Sequence, residues 1–177
     1  MATLDLTPLF ALGAQVGDKL AQRGDSIAVA ESSAGGLLSA ALLARPGASA
    51  YYFGGAVLYT RRSRRLLTTL TSDDTAGLRS SSPPYALLLA RHQRSRFRAT
   101  WGLAESGAAG PSGNTYGDPA GHSCLAVDGP VVREQLLRTG SADRALNMLA
   151  FALAALQLLD AAIDAAALPS ATAAQGG

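Results

Sequence analysis

The chain has 177 residues, 48% hydrophobic and 16% charged, with a net charge of +2. That length and apolar fraction fit one domain with a sizeable core, and the near-neutral charge gives no ground for a nucleic-acid or membrane-surface partner. The basic residues are fourteen arginines and one lysine, Lys19, so lysine chemistry has almost no candidates; the single cysteine, Cys124, excludes an internal disulfide and fits a reducing compartment.

Apolar residues at helical spacing from about Pro8 to Arg23 predict a first helix, ended by Gly24-Asp25. Ile27 to Ala30 reads as a strand buried on both faces. The turn Glu31-Ser32-Ser33-Ala34-Gly35-Gly36 follows, then a second helix to Ala44, stopped by Arg45-Pro46-Gly47. Tyr51 to Thr60 predicts a second strand, with Gly54-Gly55 marking a bulge or a close backbone approach. A short arginine-rich helix from Arg61, a polar stretch from Thr71 to Pro84 and a helix from Tyr85 to Phe97 come next. Thr100 to Ala104 predicts a third strand, and the glycine-rich Glu105 to Gly121 a functional loop without regular structure. Ser123 to Val127 and Val131 to Arg138 flank Asp128-Gly129-Pro130 as a hairpin. Asp143 predicts an N-cap for a long alanine-rich helix from Arg144 to about Ala167. The small, polar residues from 169 to 177 predict a disordered tail.

The order α-β-α-β-α-α-β-β-β-α predicts a single three-layer α/β/α domain over residues 1–168, its mixed sheet mostly parallel with an antiparallel edge hairpin. The start of the chain carries acids and no basic region followed by an apolar one, so no signal peptide is expected. The longest apolar run, Leu146 to Ala167, is broken by Asn147, Gln157, Asp160 and Asp164, so no membrane span is expected and a cytoplasmic location follows.

Three stretches carry candidate chemistry. Ser32 and Ser33 stand at a strand-to-helix turn, where one hydroxyl serves as a nucleophile or as a helix cap and the N–H groups of Ala34 to Gly36 could cradle an anion or oxyanion. The stretch has neither the Gly-Lys-Ser/Thr of a phosphate loop nor the flanking glycines of a nucleophile elbow. Arg61, Arg62, Arg64 and Arg65 cannot all pair locally, and one could reach a phosphate or carboxylate. The glycines of Glu105 to Gly113 allow a backbone to approach a ligand. His92 reads as a surface residue and His122 as one that could face a site; neither has partners at metal-ligand spacing.

Together, Ala30-Glu31-Ser32-Ser33-Ala34-Gly35-Gly36-Leu37, Pro46-Gly47-Ala48-Ser49, Gly54-Gly55-Ala56-Val57-Leu58-Tyr59, Ser106-Gly107-Ala108-Ala109-Gly110-Pro111 and Ser141-Ala142-Asp143-Arg144 resemble the CinA C-terminal domain family, which includes bacterial nicotinamide mononucleotide deamidases. The resemblance runs from about Ile27 to Leu159. It implies a three-layer α/β domain, often a homodimer, that hydrolyses the amide of nicotinamide mononucleotide to the nicotinate form and ammonia without a metal or other cofactor. Ser32 takes the nucleophile position and Tyr59 that of a tyrosine lining the site. Glu31, Ser33, Gly35, Gly36, Ser106, Gly107 and Gly110 fall on the substrate- and oxyanion-binding segments, and Arg144 on a plausible phosphate ligand.

The family's general base is a lysine five residues after the tyrosine. Arg64 stands there instead, and a guanidinium effectively never gives up its proton. Ala34 and Ser106 stand where the family usually has threonine. Three readings follow: an amidohydrolase with a substituted base, Tyr59 acidified by Arg64 or else His122; a nucleotide-binding or regulatory homologue without hydrolysis; and a dimeric interaction protein with a vestigial pocket.

Overall fold

In the computed structural model, which describes residues 4–167, α1 (Thr7–Arg23), β1 (Ile27–Glu31), α2 (Leu37–Leu43), β2 (Tyr52–Val57), α3 (Arg61–Leu67), α4 (Pro83–Phe97), β3 (Trp101–Ala108), β4 (His122–Asp128), β5 (Arg133–Arg138) and α5 (Arg144–Ala165) follow in that order. The element order is the one that the periodicities predict. The tail from 169 to 177 lies outside the described residues. Local chemistry sets several ends. Gly24 closes α1 in the left-handed conformation at φ 67°. Thr60 caps α3 with a reciprocal Thr60–Ser63 box, and Asp143 accepts from the Leu146 N–H to start α5.

The strands form one sheet in the order β2-β1-β3-β4-β5. β1 pairs in parallel with β2 and β3, while β3–β4 and β4–β5 are antiparallel, so β4 alone runs against the other four. The register between β1 and β2 slips once, at Phe53, which is the irregularity that Gly54-Gly55 predicts.

Alternation along the central strands separates two cores. Ile27 and Val29 of β1, Trp101 and Leu103 of β3, and Leu125 and Val127 of β4 face α1, α2 and α5. Ala30, Ala104, Cys124 and Ala126 face Tyr85, Ala86, Leu89 and Ala90 of α4. The second face is lined by small residues, so α4 sits close to the sheet. A Cβ on Gly102 would lie 2.1 Å from the Ala90 carbonyl oxygen. Gly102→Ala is therefore expected to push α4 off the sheet and cost about 3 kcal/mol, read as a lower urea midpoint with an unchanged slope.

Three sequence expectations need correction. β2 ends at Val57: the Leu58 N–H makes the last bond to β1, to the Glu31 carbonyl at 2.6 Å, and Thr60 then caps α3. Glu105 to Ala108 is strand, the second half of β3, rather than loop. Its small side chains allow close pairing there: a Cβ on Gly107 would meet the His122 carbonyl oxygen at 2.3 Å. Finally, α5 is long and apolar enough by length and composition to cross a membrane, yet half of that window is buried inside the protein. Phe151, Ala155, Leu156 and Leu159 make it the central core helix.

Candidate active site

The sheet order fixes where a crevice opens. β1 has β2 on one side and β3 on the other, reached by crossovers through α2 on one face and α4 on the opposite face. The chain thus diverges at the carboxyl end of β1, the place where open α/β sheets bind ligands. A cavity of about 400 Å³ lies there, walled by Ser32 and Ser33 after β1, Tyr59 and Arg61 after β2, the end of β3 with Gly110, Tyr116 from the following loop, and Arg144 at the start of α5.

Two buried carboxylates shape the turn after β1. Glu31 points onto the start of α2: the Gly36 and Leu38 N–H groups donate to Oε2 at 2.9 and 3.0 Å, and Ser39 donates its N–H and hydroxyl to Oε1 at 2.9 and 2.5 Å. A carboxylate at a helix N-terminus satisfies orphan donors and the helix dipole together. Glu105, fully buried on β3, grips the turn itself. The Ser32 and Ala34 N–H groups donate to its Oε2 at 3.1 and 2.8 Å, the Ser123 hydroxyl to Oε1 at 2.9 Å, and the Ser33 hydroxyl to the same oxygen. Burial pushes the Glu105 carboxyl above the usual carboxylate range, against the pull of those hydrogen bonds.

These contacts correct the expected cradle. The N–H groups of Ala34, Gly35 and Gly36 are spent inside the protein, on Glu105, the Ser32 carbonyl and Glu31. Among the described residues, Ser33 has the one N–H from 32 to 36 without a protein acceptor. Glu31, Gly35 and Gly36 stand off the cavity wall; the two glycines supply the positive φ, 68° and 101°, that the turn demands. Ser33 is buried with its hydroxyl tied to Glu105, whereas the Ser32 hydroxyl has no partner among the described residues and its residue is partly exposed.

The opposite wall is held from α5. Arg144 donates to the Gly110 carbonyl at 2.7 Å and to the Tyr59 hydroxyl at 3.1 Å, with its guanidinium 5.7 Å from the Tyr59 ring centre. One turn on, the buried Asn147 amide donates to the Ala109 and Ser141 carbonyls at 2.7 and 2.8 Å. Asn147→Ala orphans both and is expected to cost about 2 kcal/mol, with faster amide hydrogen exchange at Ala109, Gly110 and Ser112.

Of the residues read from sequence, Ser32, Ser33, Tyr59, Ser106, Gly107, Gly110 and Arg144 share the cavity wall, and Arg64 does not. The Arg64 Nε is buried, with no hydrogen-bond partner among the described residues. His122 is also off the wall: it is buried, and its Nε2 lies 2.9 Å from the Ser81 carbonyl, an acceptor, so that nitrogen carries the proton. His92 is half-buried and accepts from the Thr69 N–H at 3.4 Å; burial and then Arg96 hold its pKa down. Cys124 lies in the α4-side core, its thiol pushed up to about 11 chiefly by burial, which makes it inert. Sequence reasoning missed Glu105 as the organiser of the turn, and Tyr116 and Asn147 altogether. An acid directly following the apolar Trp101–Ala104 run was the one signal for the first.

The model of the CinA C-terminal domain matches residues 10–163. A CinA-like protein of Anaeromyxobacter sp. (strain Fw109-5) is 38% identical over 152 residues, covering 80% of this chain and 37% of that protein. A CinA-like protein of Prochlorococcus marinus (strain MIT 9313) is 38% identical over 119 residues, 67% of this chain and 28% of that protein. The chain thus spans well under half the length of these relatives. Among solved structures, the competence/damage inducible protein CihA from Agrobacterium tumefaciens superposes with a TM-score of 0.81 at 28% identity, covering 93% of this chain and 99% of that one. A CinA superfamily protein from Klebsiella pneumoniae 700603 superposes with a TM-score of 0.81 at 25% identity, covering 88% and 98%. With a matching sequence model over most of its length and the matching fold, the chain belongs to the CinA C-terminal domain family.

Proposed function

We propose that this protein is a serine amidohydrolase acting on the amide of a pyridine nucleotide, converting nicotinamide mononucleotide to nicotinate mononucleotide and ammonia. The observation that carries the reading is the sorted turn. Glu105 and Glu31 consume the neighbouring donors and leave one hydroxyl, Ser32, and one N–H, Ser33, uncommitted at the wall of a cavity. A free hydroxyl beside a free N–H supplies a nucleophile and an oxyanion donor. Arg144 and Arg61 on the same wall supply positive charge for a phosphate. Tyr59 and Tyr116 offer aromatic surface to a pyridine or ribose ring.

The homodimer expected from the resemblance belongs to the same proposal, supported by Phe53 and Val57, exposed on the edge strand β2. So does a cytoplasmic location, which the buried free thiol of Cys124 suits.

The experiment is ammonia release from nicotinamide mononucleotide, run beside a thermal-shift titration with the same nucleotide. Turnover supports the hydrolase. A stabilising shift without ammonia, from either the protein or its Arg64→Lys variant, supports the second reading, a nucleotide-binding homologue without hydrolysis. That reading is favoured by one observation: a permanently charged arginine stands at the base position. Neither signal leaves only an interaction protein.

A further inference from the structure

We propose that Tyr116 is the proton acceptor of this site, taking the role that the family gives to a lysine; the inference rests on the hydrolase reading above. Lys19 is committed elsewhere, paired with Asp160 and Asp164 at 2.8 and 2.6 Å. What the cavity offers is a phenol among guanidiniums.

Tyr116 rides on the glycine-rich loop after β3. The Asn114 side chain shapes this part of the loop, its Oδ1 accepting from the N–H groups of Tyr116 and Asp118 at 3.0 and 3.1 Å. From α3, Arg61 Nη2 donates to the Tyr116 hydroxyl oxygen at 3.2 Å, and Arg64 adds a second positive charge on that side. From the segment before α4, the Arg79 guanidinium lies 5.9 Å from the Tyr116 ring centre. The other titratable neighbours are Tyr85 of α4, on the same cavity wall, and Asp118 on the loop itself. The Asp118 charge is answered by Arg79 and by the Asn114 amide at 2.8 Å.

Arginine can only donate, so the phenol oxygen accepts from Arg61 and its own proton is free to leave. Loss of that proton turns a hydrogen bond from a cation to a neutral phenol into an ion pair, in the field of further arginines. The acidity follows: hydrogen bonds with Ser80 and then Arg61 hold Tyr116 below the usual tyrosine range. Tyr59 is 57% exposed, and among the described residues its hydroxyl meets Arg144, a guanidinium shared with the Gly110 carbonyl. The replacement of lysine by Arg64 then has a physical sense, because the arginine supports a neighbouring phenolate instead of serving as the base.

The step balances without a co-reactant beyond water. Across the cavity that both residues line, Tyr116 phenolate takes the Ser32 hydroxyl proton as Oγ bonds to the amide carbonyl carbon. The C–N bond then breaks, Tyr116 returns the proton to the departing nitrogen, and ammonia leaves an acyl ester on Ser32. Water attacks that ester, gives a proton to Tyr116, and Tyr116 passes it to Ser32 Oγ as the ester bond breaks and the acid is released.

Two measurements test this on the full chain. The first is the ultraviolet titration of tyrosinate. One of the five tyrosines is expected to ionise ahead of the rest, in a step absent from Tyr116→Phe. The second is the pH profile of ammonia release from nicotinamide mononucleotide. Tyr116→Phe is expected to lower kcat by about 10²–10³ with KM largely unchanged and the acid limb lost, and Arg64→Lys in that background to restore part of the rate. The absence of an early tyrosine step overturns the inference whatever the activity. A Tyr116→Phe variant with the wild-type rate and profile overturns it and leaves the hydrolase reading standing. Nucleotide binding without ammonia from the wild type overturns both.

Discussion

Glu105→Ala is expected to lower the melting temperature by roughly 10 °C, from a loss of about 3–5 kcal/mol. The size follows from what the carboxylate holds. Two backbone N–H groups, Ser32 and Ala34, and two hydroxyls, Ser33 and Ser123, donate to it inside the protein. Alanine leaves them facing a cavity with no acceptor. Glu105→Gln behaves differently, because its amide oxygen can keep the two N–H groups while the hydroxyls rotate to accept from the NH₂. Little stability is lost. The two proteins also differ with pH. Because burial raises the native pKa of Glu105, the folded protein binds more protons than the unfolded chain between the ordinary and the raised value. Its contribution to stability is therefore present below the ordinary carboxylate range and lost as pH rises through the native pKa. The stability of Glu105→Gln relative to wild type should then climb as pH rises above the ordinary carboxylate range, and level off once the native Glu105 has ionised, measured by urea denaturation. A flat difference would mean that burial does not raise the Glu105 pKa in the folded protein.

Ser32→Ala should separate function from stability in the opposite sense. The Ser32 hydroxyl has no partner among the described residues and the residue is partly exposed, so its removal should change the unfolding free energy by no more than about 0.5 kcal/mol. Ammonia release from nicotinamide mononucleotide should fall by about 10³-fold or more, with the thermal shift induced by the nucleotide retained. Ser33→Ala is the matched control. It removes a buried hydroxyl bound to a carboxylate, so it should cost about 1.5–3 kcal/mol and leave more of the turnover. If the two variants exchange these phenotypes, the nucleophile is Ser33 with Glu105 as its base, and the assignment to Ser32 falls.

Much of this protein is local, and the local part was legible. The alternation of strand and helix, the glycine turn after β1, the Asp143 cap and the Asp128-Gly129-Pro130 hairpin each depend on residues within a few positions of one another. Periodicity and turn chemistry therefore report them directly. The same holds for Ser32: a hydroxyl between a buried strand and a pair of glycines is a statement about one short segment. The arginine at position 64 was equally plain.

What the sequence could not reveal is which groups at the turn are free, because that depends on residues more than seventy positions away. Glu105 reaches Ser32, Ser33 and Ala34 only because β3 pairs in parallel beside β1. The sequence around Glu105 reads as the start of a glycine loop, since Ser106 and Gly107 have poor strand propensity and only pairing with β4 makes them strand. Tyr116 meets Arg61 across 55 positions for the same kind of reason. By itself, then, the sequence determined the elements, their order and the serine turn, since those are set by short-range sterics and hydrophobic period. The tertiary structure alone decided that the helix-start amides are spent, that Ser33 is tied while Ser32 is free, and that a tyrosine rather than Arg64 faces the cavity, because buried polar groups choose their partners by which strands and loops the fold brings side by side.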